Sequence, residues 1–167
     1  LEPIVGQAEV KRAHQLSAGD LGAWDMTQRG IWHFNKFTKE DLIIANEIFQ
    51  AVIKATPDFV QALTFSSFNH LFLALLAWTD EPQKALMEAG RHATMAVASD
   101  PMHPLGNAMC GFMLAYQGKH DAGIAACQRA VDLNPSSAIA YHARGAVFIF
   151  SGQQDEASVA IEQALRL

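Results

Sequence analysis

Apolar residues return every third or fourth position along most of this chain, the spacing that builds one buried face on a helix rather than the alternation of a strand. Three such segments end in the same way. Phe49–Thr56, Ala93–Asp100 and Cys127–Asn134 each run into a proline, Pro57, Pro101 and Pro135, with Val52, Ala96 or Ala130 five residues before it. The residue ahead of a proline is pushed out of the α region, so the pattern predicts three helix exits of one type.

From the last exits onward the register tightens. Gly111, Gly118, Gly123 and Ala130 recur 34 positions later as Gly145, Gly152, Ala157 and Ala164. Gly111 and Gly145 fall on the first helix of a pair, where a second helix must come close, and Leu114 and Phe148 follow three residues on. Gly123, Cys127 and Ala130, and then Ala157, Ile161 and Ala164, make the inner stripe of the second helix. The period and the small-residue positions resemble the tetratricopeptide repeat (TPR), a helical hairpin of about 34 residues that stacks into a solenoid.

Upstream the repeats are stretched. Pro57 and Pro101 lie 44 positions apart, about ten more than one such repeat. The expected helices there are Val60–Ala77 and Pro82–Ala98, with Trp78–Pro82 as the turn and Pro82 at a helix start, where its missing N–H is harmless. The first pair is expected at Ala23–Asn35 and Lys39–Ala55, with Thr38 as N-cap and Asp41 in the first turn. Gln28-Arg29-Gly30-Ile31 echoes Ala143-Arg144-Gly145-Ala146 and puts Gly30 at a close contact. The reading is an all-α, right-handed TPR-type α-α superhelix. Its four hairpins fall at about 21–57, 58–101, 104–135 and 138–167, preceded by a less patterned segment, 1–20.

One stretch narrows the resemblance. Ala23-Trp24-Asp25-Met26-Thr27-Gln28-Arg29-Gly30-Ile31-Trp32-His33-Phe34, then Phe37–Asp41 and Ala77–Pro82, resemble the TPR region C-terminal to the effector domain of bacterial class III adenylate cyclases and winged-helix transcriptional regulators. That resemblance implies a sensory or assembly module of a longer regulator. No residue here matches a cyclase metal site, a nucleotide pocket or a DNA recognition helix. The opening Leu1-Glu2-Pro3, without Met, and the ending Leu165-Arg166-Leu167 agree with a fragment of a longer protein.

Composition adds exclusions. Twenty-eight alanines in 167 residues favour helix and let helices approach closely. A formal charge of −5 argues against nucleic acid as a partner, because phosphate binding needs a basic face. No run approaches the ~18 apolar residues of a membrane span. Two cysteines, Cys110 and Cys127, are too few for a disulfide framework and fit a reducing, cytoplasmic setting. They occupy packing positions of the third repeat and are expected to pack as small buried hydrophobes.

Catalytic chemistry finds no support. The seven histidines, His14, His33, His70, His92, His103, His120 and His142, form no close ligand motif and read as isolated helix or turn residues. Asp80, Glu81, Asp155 and Glu156 stand at turns or helix starts, where they complement the helix dipole. No phosphate loop, nucleophile elbow or dinucleotide fingerprint occurs. No metal and no cofactor are expected.

The resemblance implies a groove lined by positions 2, 5, 9 and 12 of each first helix. These are Trp24, Thr27, Ile31 and Phe34; Gln61, Thr64, Phe68 and Leu71; Leu105, Ala108, Phe112 and Ala115; and Ile139, His142, Ala146 and Ile149. No Lys or Arg is among them, which argues against a terminal carboxylate as ligand. Such a stripe is core if the hairpins close over it or if Leu1–Leu21 fills it; otherwise it binds a protein or peptide, or joins two copies in a homodimer. The other reading is a sensory domain enclosing a small apolar ligand and regulating an attached cyclase.

Overall fold

The computed structural model describes residues 18–167, which form eight α-helices and, among those residues, no strand. They are α1 (Ala18–Lys36), α2 (Lys39–Ala55), α3 (Val60–Leu75), α4 (Pro82–Ser99), α5 (Pro104–Tyr116), α6 (His120–Leu133), α7 (Ala138–Phe150) and α8 (Gln154–Arg166). Each odd helix pairs with the even helix that follows it, and each even helix then packs on the next odd one. Successive odd helices touch one another, whereas successive even helices have no comparable contact. The odd helices therefore line the inside of the curve.

Local chemistry sets the helix ends. Thr38 caps α2, its Oγ1 accepting from the Asp41 N–H at 3.1 Å, and Ser137 caps α7 in the same way through the Ala140 N–H. Prolines open α4 and α5. Glu81 stands at the cap position of α4, where its side chain pairs with Lys84 at 2.9 Å and makes no cap hydrogen bond. Two expectations are corrected. Among the described residues, helix α1 already holds Ala18–Asp20, which the sequence left to the less patterned segment; residues 1–17 lie outside the described part. Helix α3 stops at Leu75 rather than Ala77, because Ala77 turns to φ +54° and its N–H and that of Trp78 close back onto Ala74 and Leu73.

The core runs down the solenoid in three clusters rich in alanine. The first joins Ala23, Val52, Ile53, Ala62, Leu63 and Ala96. The second joins Leu71, Ala89, Ala93, Met109, Cys110 and Met113. The third lies between α5, α6 and α7 around Ala108, Cys127, Ala130 and Val147. Small residues let the helices close, and a few large side chains fill the gaps. Phe49, fully buried under Gly30, is the largest of these, worth about 1.5–3 kcal/mol of transfer free energy.

Candidate functional site: the inner face

The glycines expected at close contacts are where the helices meet. A Cβ on Gly30 would lie 2.5 Å from the Phe49 ring, one on Gly111 2.5 Å from the Cys127 Sγ, and one on Gly145 2.7 Å from the Ile161 Cγ1. Ala130 and Ala157 are buried beside them, Ala164 is half-buried, and Pro57, Pro101 and Pro135 sit exposed at the hairpin exits.

The groove positions divide by angle. Positions 2 and 9 lie two turns apart on one stripe and stay partly open: Trp24 and Ile31, Gln61 and Phe68, Leu105 and Phe112, Ile139 and Ala146. Positions 5 and 12 are turned roughly 60–80° away at about 100° per residue, toward the next odd helix. Thr27, Thr64 and Ala108 are fully buried, and Leu71 and Ala115 belong to the core. The threonine hydroxyls are spent on their own helices, Thr27 on the Ala23 carbonyl at 2.7 Å and Thr64 on that of Val60 at 2.8 Å. Leu71, expected in the groove, is thus a core residue. His142 and Ile149 hold the same two positions on α7, which no described odd helix follows, and both are exposed at the end of the array.

Aromatic rings concentrate on this face and its rim. Phe34 of α1 meets Phe65, Phe68 and Phe72 of α3 at centroid distances of 5.7, 6.5 and 6.0 Å. Phe37, in the α1–α2 turn at φ +54°, stands edge-on to Phe72 at 5.0 Å and 6.3 Å from Trp78. Farther along, Phe150 of α7 contacts Phe112 and Tyr116 of α5. Phe65, Phe72 and Phe150 were missed from the sequence, although each stands three or four residues from a groove position.

Charge is segregated from these rings. Helices α3, α5 and α7 together contain one Lys, Arg, Asp or Glu, Arg144. Its guanidinium donates to Gln128 of α6 at 2.8 Å and stacks over Tyr141. The even helices carry mixed charges, such as the Glu88–Arg91 pair of α4 and Asp155, Glu156 and Arg166 of α8. The polar groups left on the open stripe are therefore few. Gln61 is one, and it is already held by Gln28 at 3.1 Å.

Two expectations about titratable residues meet the structure here. Cys110 and Cys127 pack as hydrophobes: burial raises both thiols, that of Cys127 to about 12, and its Sγ points at the Ala108 carbonyl 3.7 Å away. The histidines are not all isolated. The His70 and His92 rings, 22 positions apart in sequence, lie with centroids 5.6 Å apart. His33 pairs with Asp41 at 2.7 Å. No group of three His, Cys, Asp or Glu side chains among the described residues is arranged to hold a metal ion, and no described helix is long and apolar enough to cross a membrane.

The architecture has solved counterparts. MamA (residue 41 to the end) from Desulfovibrio magneticus RS-1 matches with a TM-score of 0.61 and 20% identity, over 87% of this chain and 75% of its own. A thermophilic TPR protein of Thermus thermophilus also gives 0.61 at 20% identity, over 79% of this chain and 75% of its own. MamA of strain MSR-1 gives 0.57 at 15% identity, over 97% of this chain and 90% of its own. This chain has the fold of TPR solenoids. No family profile matches it, and no curated protein matches it in sequence.

Proposed function

We propose that this chain is a protein-interaction or self-association module, non-catalytic in itself, whose inner face receives an apolar, uncharged segment of a protein partner. The observation that carries this is the segregation of charge: a row of apolar side chains runs over α1, α3, α5 and α7, and α3, α5 and α7 together hold a single charged residue, Arg144. A charge placed against such a wall would lose water without gaining a counter-ion, which costs several kcal/mol by order of magnitude. An apolar segment would gain about 25 cal/mol for each Å² it buries.

The binding residues in this reading are Trp24, Ile31, Phe34, Phe68, Leu105, Phe112 and Ile139, with His142 and Ile149 at the α7 end. The module comprises the hairpins at about 21–57, 58–101, 104–135 and 138–167, with 1–20 leading into it. By the resemblance of Ala23–Asp41, it serves a cytoplasmic bacterial signalling or transcriptional regulator, with no cofactor and no nucleic acid bound by this part. A second copy is one partner such a face accepts, giving a homodimer.

A phage-displayed peptide library panned on the purified chain tests the reading, alongside sedimentation velocity. Enrichment of peptides with apolar residues at helical spacing and no central charge, lost on Phe112→Glu, supports it. So does a dimer dispersed by the same substitution. Enrichment of acidic C-terminal peptides, or no enrichment from a monomer, overturns it. A small apolar molecule recovered from the purified chain would favour the sensory reading instead.

A further inference from the structure

The junction of α2, α3 and α4 gathers four of the buried polar side chains of the described residues. Ser66, Ser67, Asn69 and His92 are fully buried there. Asn69 and Ser67 tie to backbone, donating to the Leu42 carbonyl at 3.0 Å and the Ala89 carbonyl at 2.6 Å. The others form a chain across three helices. Gln50 of α2 donates its amide to the His70 Nε2 at 3.1 Å and reaches the Ser66 Oγ at 3.5 Å. Ser66 of α3 meets the His92 Nδ1 at 3.0 Å, and Arg91 of α4 donates to the His92 Nε2 at 2.7 Å.

This wiring fixes the protonation states. A guanidinium only donates, so the His92 Nε2 must accept, and its Nδ1–H is then the donor to Ser66. Gln50, with its amide nitrogen turned to His70, meets a bare Nε2 there. A proton on the His92 Nε2 would set N–H against N–H, and one on the His70 Nε2 would make the Gln50 amide turn over and give up its donation to Ser66. The charged groups facing the pair are Arg91 and Glu88, both on α4. The Glu88 carboxylate stands 3.7 Å from the His92 Nε2 but already accepts from Arg91 at 2.7 and 3.0 Å. The serine–imidazole contact has the look of a nucleophile and its base, but Ser66 is fully buried between helices and no substrate reaches it.

We propose that this junction is an acid-sensitive latch: the second hairpin stays docked on α2 only while His70 and His92 are both neutral, and a proton on His92 releases it. Burial chiefly, with help from Arg91 and His70, pushes the His92 imidazole down to about 4. Burial also lowers His70, with Arg91 adding to the effect and Glu88 opposing it. A histidine lowered in the folded state takes up a proton on release. The latch is therefore intact above the ordinary imidazole range and weakens as pH falls from about 6.5 toward 4. Because α3 also carries Phe68 and Phe72, release would rearrange the inner face; that consequence rests on the function proposed above, whereas the latch itself does not.

The test is urea unfolding of the full chain between pH 7.5 and 4.5, with histidine-ring NMR titration and hydrogen exchange on the folded protein. Below pH 6.5 the unfolding constant should rise, by up to about tenfold per pH unit from His92 and with a further contribution of the same sign from His70, and His92→Gln should remove the first of these. Should His92→Gln fail to fold, the half-exposed Arg91→Met serves. It removes the nearby cation, so the His92 titration should move up toward 6.5 and the acid dependence should flatten. Exchange protection should fall first in α3 and α4 and last in α5 and α6. A His92 ring that titrates at its ordinary value in the folded chain overturns the latch. So does an Arg91→Met variant with an unmoved titration, or protection lost evenly from all helices.

Discussion

Gly111 and Cys127 hold α5 and α6 at backbone contact. A Cβ on Gly111 would lie 2.5 Å from the Cys127 Sγ, 2.7 Å from the Gly123 carbonyl and 2.9 Å from the Cys127 nitrogen. The contact is reciprocal, since a Cβ on Gly123 would meet the Gly111 carbonyl at 2.8 Å. Backbone on both sides cannot rotate away. Gly111→Ala should therefore cost ~1–3 kcal/mol, even after the roughly 1 kcal/mol that alanine gains in helix propensity. Gly145→Ala should cost less, because its one close neighbour is the Ile161 side chain at Cγ1 and the nearest backbone atom, the Ala157 carbonyl oxygen, stands off at 3.4 Å. Urea midpoints of the two variants, with the exposed Gln83→Ala as reference, measure the difference; equal losses would show that the α5–α6 contact is looser than described.

The turns after α3 and α7 make a matched pair. Ala77 adopts φ +54°, while Gly152 adopts φ +76° with open space around its Cα. A left-handed conformation costs a non-glycine residue roughly 1–2 kcal/mol, part of which glycine returns as unfolded-state entropy. Ala77→Gly should raise stability by about 0.5–1 kcal/mol and Gly152→Ala should lower it by about 1 kcal/mol. Thermal melts of both report the signs, and a loss from Ala77→Gly would contradict the turn.

Thiol chemistry offers a third check. With both thiols buried and raised, Cys127 to about 12, little thiolate exists at pH 8. A disulfide reagent should therefore find no rapidly reacting cysteine in the folded chain and two in 6 M guanidinium. Rapid native modification of Cys127 would mean that α5 and α6 part readily.

Asp41 sets the acid behaviour of the first hairpin. Hydrogen bonds from His33, Thr38 and Lys36 hold its carboxyl down to about 2. A carboxylate lowered in the folded state contributes stability above the ordinary carboxylate range and loses it as pH falls toward 2. Asp41→Asn should therefore flatten the stability profile of the chain between about pH 4 and 2 while leaving the imidazole-dependent loss above pH 4 in place. Denaturation midpoints across that range separate the two. An unchanged profile below pH 4 would mean that the Asp41 contacts are not kept in solution.

The architecture was legible because it rests on local chemistry. Pro57, Pro101 and Pro135 end helices through their own rings, and Gly118 and Gly152 mark turns that favour glycine. Gly111 and Gly145 mark crossings that a side chain would block. The site was legible in part. Trp24, Phe68 and Phe112 lie on the open stripe, but Leu71 and the two threonines turned inward, because the direction of a position depends on where the next odd helix lies. His70 and His92 gave no sign of each other, since spacing reports proximity within a helix and these two lie on different ones.

Taken by itself, then, the sequence determined the helices, their pairing and the glycine crossings, all set within a turn or two of chain by sterics and 3.6-residue periodicity. The tertiary structure alone decided which groove positions stay open, how the Phe34 and Phe112 clusters assemble, and that Gln50, Ser66, His70, His92 and Arg91 share one network. Those depend on how far each helix rotates and leans against neighbours tens of residues away, an outcome of summed packing that no single segment encodes.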